Sequence, residues 1–354
     1  MKMAPILRAF ERYPEHEAVL IHTGQHYDAN LSTVFFDELG IKEPDLFLGV
    51  GSGSHAEQTA KLLVAIEKAF QEAAAEGKPF HRVVVVGDVN STMAATLTAA
   101  KLNIPVAHVE AGLRSFDRQM PEEINRIVTD GLSDMLLVSE PQGVTNLKNE
   151  GHTDEEIRLV GNVMIDTLLR QVEQAKTRST LSDINVRTGE YCLVTLHRPS
   201  NVDQPETLGP LADVLIEVSE EMPIVFPVHP RTQGRLESFG LQEKLESAGG
   251  ITLQGPLGYN DFLALSSQAK VIVTDSGGLQ EESTALLIPC LTMRENTERP
   301  ITVTEGTSTL CGSDAAMLRD CLKQVAAGAY KQGKCPELWD GKAAERIVEA
   351  LINA

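Results

Sequence analysis

Cysteine is scarce in this 354-residue chain, and the five present (Cys192, Cys290, Cys311, Cys321 and Cys335) stand apart. None forms the Cys-x-x-Cys spacing of a zinc ribbon or dithiol redox site, so reduced structural thiols and no metal centre are expected. Positive charge is also short: 31 Lys and Arg face 50 Asp and Glu, a formal net charge of −19. Such a surface repels polyanions, which excludes nucleic acid and anionic membranes as partners and confines any basic site to a local patch. No run of about 18 apolar residues is present, and the first residues lack the charged, apolar, small-residue order of a leader. A cytoplasmic protein without membrane attachment is expected.

What the chain does have is length enough for two cores, so two α/β domains are the default. The most informative stretch runs from Val271 to Pro300. A β-branched run, Val271 to Thr274, meets Asp275-Ser276-Gly277-Gly278, and a helix-forming run and a second apolar strand, Cys290 to Met293, follow. Adjacent glycines permit close backbone approach, and the free N–H groups of a helix start suit a phosphate. Alone, Ser-Gly-Gly reads as an ordinary turn. Here it is joined by Glu281 and Glu282 in the helix's first turn, and by a polar loop, Arg294 to Pro300, beyond the next strand end. Upstream, strands over Tyr191–Leu196 and Ile224–Val228 deliver His197-Arg198 and His229-Pro230-Arg231 at their carboxyl ends. A lone histidine is usually packed or capping. With Ser276 and Arg299, however, these two make a basic rim suited to a diphosphate.

The first half carries acids instead. A buried strand from Arg82 ends at Asp88, and another, from Pro105, ends at Glu110. Pro121-Glu122-Glu123 then opens a helix containing Arg126. Asp88 also fits a helix cap, and one of Glu122 and Glu123 fits simple first-turn chemistry. Carboxylates clustered at strand ends nevertheless suit proton transfer, because burial and mutual repulsion move them towards neutrality. The glycine-rich segment from Gly49 to Ser54 does not read as a dinucleotide loop, since Ser54 replaces the third glycine and no acidic strand end follows about 20 residues on. It reads as a mobile loop over a cleft. The chain opens on a helix, Met1 to Arg12, before a strand at Ala18–His22, although a doubly wound domain normally opens on a strand.

Thr274-Asp-Ser-Gly-Gly-Leu-Gln-Glu-Glu282 with Asn296-Thr-Glu-Arg-Pro300 resembles the nucleotide-binding half of the non-hydrolysing UDP-N-acetylglucosamine 2-epimerases. Gly87-Asp-Val-Asn-Ser-Thr92, His108-Val-Glu-Ala-Gly-Leu-Arg114 and Pro121-Glu-Glu-Ile-Asn-Arg126 are similar to that family's first half. The similarity covers nearly the whole chain. Two departures stand out. Family members usually begin with an apolar strand and a Gly-Thr-Arg-Pro-Glu loop that this sequence lacks, so a missing first strand, from a late start codon or a truncated gene, is expected. Ser200 also replaces a glutamate after His197-Arg198.

The resemblance implies an α/β fold of two Rossmann-like, doubly wound domains facing a cleft, of the GT-B type. The N-terminal domain would comprise residues 1–165, completed by a C-terminal helix at 341–354, and the UDP-binding domain residues 166–340. It implies a homodimeric enzyme of surface-polysaccharide synthesis that interconverts UDP-GlcNAc and UDP-ManNAc without a cofactor, through elimination of UDP to 2-acetamidoglucal and re-addition. Asp88, Glu110, Glu122 and His197 become catalytic candidates. Lys2, Arg126, His229, Ser276, Gly277, Gly278, Glu282 and Arg299 become substrate-binding candidates, and Gln25, His26 and Arg198 match a regulatory pattern. The same signatures accommodate an epimerase of a UDP-2,3-diacetamido sugar, a hydrolysing relative, a GT-B glycosyltransferase or a non-catalytic nucleotide-sugar-binding protein.

Overall fold

The computed structural model describes residues 1–24 and 40–354. The chain divides into two compact units, Met1–Thr167 with Leu338–Ala354, and Leu168–Glu337. It passes from the first to the second inside the Val163–Lys176 helix.

In the first unit, β1 (Ile21–His22) and β2 (Leu46–Phe47) pair in parallel. A separate parallel sheet has the order β3 (Val83–Val86), β4 (Val106–Ala111), β5 (Met135–Val138), β6 (Ile157–Leu159). Among the described residues the two ladders share no strand pairing. The strand expected from Ala18 is reduced to its last two residues, and Leu20 shows why: its amide donates to the Asp45 carboxylate at 2.6 Å rather than to a neighbouring strand. Alternation along the central strands sets the layers, because successive side chains point to opposite faces. Ala107, Val109 and Leu137 pack with Ile6 of the Met3–Phe10 helix and Ile347 of the Ala343–Ile352 helix. Val85 and Val106 face the other way, onto Leu62, Ile66 and Ala94 of the helices His55–Ala75 and Asn90–Lys101. The C-terminal segment is fastened there by Asp166, which accepts from the amides of Ala343 and Ala344 at 3.1 and 2.7 Å. Ser54 turns out to be a helix cap: its hydroxyl accepts from the Glu57 amide while Glu57 reaches back to the Ser54 amide.

The second unit holds six parallel strands: β7 (Cys192–Thr195), β8 (Ile224–Pro227), β9 (Ile251–Gln254), β10 (Val271–Thr274), β11 (Cys290–Thr292) and β12 (Ser308–Leu310). Their spatial order is β9-β8-β7-β10-β11-β12, the Rossmann order 3-2-1-4-5-6. Such runs are apolar throughout because helices cover both faces. Val194, Phe226 and Val273 face one core, and Leu193, Val225 and Ile272 the other. The order reverses between β7 and β10, and ligands of open α/β sheets bind beyond the carboxyl ends of the strands at that point.

Candidate active site

In the second unit β7 and β10 bring His197 and Asp275 together at the switch point. Asp275 is wholly buried and accepts from the amides of His197 and Arg198 at 2.9 and 2.8 Å, and from Asn201 Nδ2 at 3.0 Å. His197 Nδ1 lies 2.9 Å from its other oxygen. Burial opposes the charge on Asp275, but the His197 ring, Asn201 and the backbone donors outweigh it and hold the carboxyl below its ordinary range. An ionised acceptor at Nδ1 leaves His197 Nε2 facing outward, with the ring partly exposed. His229 caps its own helix, its Nδ1 accepting from the Arg231 amide at 3.1 Å, so its proton resides on Nε2. Burial, then the neighbouring His197, lowers the pKa of His229. The two rings are 5.5 Å apart.

Beside them, Ser276 occupies the cap position of the Gly277–Ala285 helix without a side-chain cap bond, so its side chain leaves the first-turn amides uncovered. A Cβ on Gly278 would meet nothing within 4 Å, whereas one on Gly277 would come 3.2 Å from Arg299 Nη1. Glycine at 277 thus lets a buried ionic cluster close against the helix start. In it Arg299 pairs with Glu281 and with Glu298, each at 2.8 Å, and Arg294 pairs with Glu298 at 2.7 Å. Arg294 Nη1 is buried and has no hydrogen-bond partner among the described residues. An orphaned guanidinium donor next to a bare helix N-terminus calls for an anion. Arg294, Asp275 and Glu298 were given no role from the sequence, and Glu281, expected in the first turn of the helix, lies beyond it.

Glu282 is buried, and burial together with Glu281 pushes its carboxyl up to about 8. The folded chain therefore keeps a proton that the unfolded chain releases above about 4.5, and stability falls as pH rises through that window. Glu282→Gln keeps the shape without the titration. It should stabilise the protein by on the order of 1–3 kcal/mol near pH 8 and by close to nothing near pH 4.5, read from urea unfolding at both. An equal effect at both pH values would contradict the assignment.

In the first unit, the turn after β3 presents Asp88. The cap of the following helix is Val89, so Asp88 does not serve as one. Its carboxylate instead meets Arg126 Nη1 at 2.5 Å. Glu110 sits in β4 at φ +71°, where the register with β5 shifts. Left-handed backbone at a non-glycine residue costs on the order of 1–3 kcal/mol and concentrates at functional sites. Its Oε2 binds Lys2 Nζ at 2.5 Å, and its Oε1 is buried with no hydrogen-bond partner among the described residues. Lys2 and Arg126, the two cations expected to meet substrate, are thus each paired with a candidate catalytic carboxylate.

The helix Pro121–Leu132 separates its two acids. Glu123 is buried and accepts from the amides of Ser115 and Phe116, both at 2.9 Å, and from Arg126 Nη2 at 2.8 Å. Glu122 is exposed and meets none of the other candidates. Glu123→Gln should lower stability by about 2–3 kcal/mol by leaving the buried Arg126 undercompensated, whereas Glu122→Gln should stay within about 0.5 kcal/mol. Thermal melts of the two variants check this, and a matching loss in both would refute the division. Gln25 and His26 lie outside the described residues. Arg198 is placed by its amide on Asp275. Among the described residues no three His, Cys, Asp or Glu side chains group as metal ligands, and no helix is long and apolar enough to cross a membrane.

Two units built on parallel sheets, one in the Rossmann order with a bare helix start at its switch point, define the GT-B-like class of α/β proteins. Within that class the chain belongs to the UDP-N-acetylglucosamine 2-epimerase family, whose sequence model matches residues 8–352. It is 42% identical to the UDP-N-acetylglucosamine 2-epimerase of Methanocaldococcus jannaschii over 99% of this chain and 95% of that protein. A crystal structure of the M. jannaschii enzyme in complex with UDP-GlcNAc and UDP superposes with a TM-score of 0.86, at 42% identity, covering 100% of this chain and 96% of that one. The UDP-2,3-diacetamido-2,3-dideoxy-D-glucuronate 2-epimerase of Pseudomonas aeruginosa is 38% identical over 100% of this chain and 96% of its own length.

Proposed function

We propose that this chain is a non-hydrolysing epimerase that inverts carbon 2 of UDP-N-acetylglucosamine to give UDP-N-acetylmannosamine. The observation that carries the reading is Glu110, a strained, buried carboxylate with one unpartnered oxygen, paired through the other with Lys2. The M. jannaschii relative, whose crystal structure holds UDP-GlcNAc and UDP, supports the substrate.

Carbon 2 of an N-acetylhexosamine has no adjacent carbonyl to stabilise a carbanion, so simple deprotonation is closed. In the reading proposed, one carboxylate takes the carbon-2 proton as the bond from carbon 1 to the β-phosphate oxygen breaks. UDP leaves with that electron pair, and 2-acetamidoglucal remains with a double bond between carbons 1 and 2. A second acid protonates carbon 2 on the opposite face, and the β-phosphate oxygen re-attacks carbon 1. Atoms and electrons balance without a redox cofactor. Asp88, Glu110 and Glu122 are the acid and base candidates. His197, with its outward Nε2, assists departure of the β-phosphate. Ser276, Gly277, Gly278, His229, Arg299 and Arg294 hold the diphosphate, and Glu282 meets the ribose. Lys2 and Arg126 set the charge around the carboxylates. Gln25, His26 and Arg198 are proposed regulatory contacts. A cytoplasmic homodimer serving surface-polysaccharide synthesis, with residues 1–165 and 341–354 carrying the acid–base groups and 166–340 the UDP site, completes the proposal.

The P. aeruginosa relative favours a second substrate, a UDP-2,3-diacetamido uronate. Incubation with each sugar nucleotide, followed by chromatography, tests both. Accumulation of the manno epimer with no free UDP supports the reading. Stoichiometric UDP and free sugar would identify a hydrolase, and recovery of both substrates unchanged would refute it.

A further inference from the structure

His108 lies in β4, two residues before Glu110, and is wholly buried. Its Nδ1 is 2.5 Å from Asp130 Oδ1, and its Nε2 is 2.8 Å from the Gly87 carbonyl oxygen. Both ring nitrogens therefore face acceptors. Asp130 is held elsewhere as well: its Oδ2 accepts from the Gly112 amide at 3.0 Å and lies 2.7 Å from Arg114 Nη2. Burial pushes its carboxyl up, but His108 and Arg114 outweigh that and hold it below the ordinary range. Arg114 is balanced in turn by Glu150, at 2.8 and 2.6 Å.

We propose that His108 is a positioning residue, fastening the Gly87 peptide, and with it Asp88, to the strand that carries Glu110. The Gly87 peptide is held at both ends. Its amide donates to the Val109 carbonyl at 3.1 Å, its carbonyl accepts from His108, and its φ of +74° suits glycine. The Asp88 carbonyl is fixed separately by Asn125 Nδ2 at 2.9 Å. Asp130 reaches the backbone beyond Glu110 directly through the Gly112 amide, so one buried His108–Asp130 pair sets the backbone spacing of Asp88 and Glu110. The loop of Asp88 and the bulge of Glu110 are thus not independent: the ring that joins them stands in the strand that carries Glu110. Proton transfer on opposite faces of a sugar ring depends on that spacing, and misplacement of about 1 Å costs on the order of 100-fold in rate. The positioning role rests on the proposed use of Asp88.

In folded His108→Gln, kcat should fall about 10–100-fold with KM within about 2-fold. A structural role alone would reduce the amount of folded protein and leave kcat per active site unchanged, and that result would overturn the positioning role. Where that variant fails to fold, Asp130→Asn, which loosens the same tie from its other end, should give the same kcat-selective loss, and an unchanged kcat would overturn the role. If the native protein shows no epimerase turnover, the proposed function fails by itself, and a crystal structure of whichever variant folds still decides the tie: the Gly87 peptide should be displaced from its native position, and an unmoved peptide would overturn the inference.

Discussion

Asp88→Asn should lower epimerase turnover by about 100- to 10,000-fold while leaving UDP affinity within about 2-fold. The substitution preserves shape, and its amide oxygen can still accept from Arg126 Nη1, so the turn after β3 persists. What disappears is a carboxylate able to receive or deliver a proton. Its surroundings single it out from the chain's other 49 acids. It is partly exposed, it is not a helix cap, and it shares Arg126 with a fully engaged Glu123. UDP binding, assigned to the helix start at Ser276, should not respond. Steady-state kinetics and calorimetric titration with UDP separate the two properties. Full turnover in the variant would remove Asp88 from the mechanism, and a parallel loss of UDP binding would mean that the variant is misfolded.

Arg299→Met should destabilise the second unit by about 3–5 kcal/mol and abolish measurable UDP binding. Arg299 is buried and pairs with both Glu281 and Glu298, and its removal takes that cation from Glu281 and leaves Glu298 paired with Arg294. Acid sensitivity gives an independent readout. Burial opposes ionisation of Glu298, but Arg299 and then Arg294 outweigh it and push its carboxyl far below the usual range. A depressed folded-state pKa contributes stability that is present above the unfolded value, about 4.5, and lost as pH falls towards the folded one. The variant should therefore lose stability near neutral pH and show a shallower decline in acid. Unfolding curves at several pH values test this, and an unchanged midpoint near neutral pH would show that the cluster is not a stabilising unit.

The arrangement of strand, turn, helix and strand from Val271 to Thr292 was legible in the sequence because each signal was local: a β-branched run, adjacent glycines, a helix former and a second apolar run. The carboxylates at the ends of β3 and β4 were legible for the same reason. Asp275 was not, because its task is to accept amides from a turn nearly 80 residues upstream, and only strand order brings β7 beside β10. Glu122 and Glu123 could not be told apart, since both suit a first helical turn, and the distinction lies in the amides of Ser115 and Phe116. Arg294 was passed over as loop polarity; its unpartnered Nη1 is visible only once Gly277 is placed beside it. The shortness of β1 came from one side chain, Asp45, competing for a backbone amide.

In the proposed reaction carbon 2 loses its proton and regains one while the diphosphate stays bound. Proton NMR of UDP-N-acetylglucosamine incubated with the protein in heavy water tests this most directly. Accumulation of the manno epimer bearing deuterium at carbon 2, with no free UDP, is the expected result. Epimer formed with the original proton retained, or no exchange at carbon 2 despite bound UDP, would contradict it.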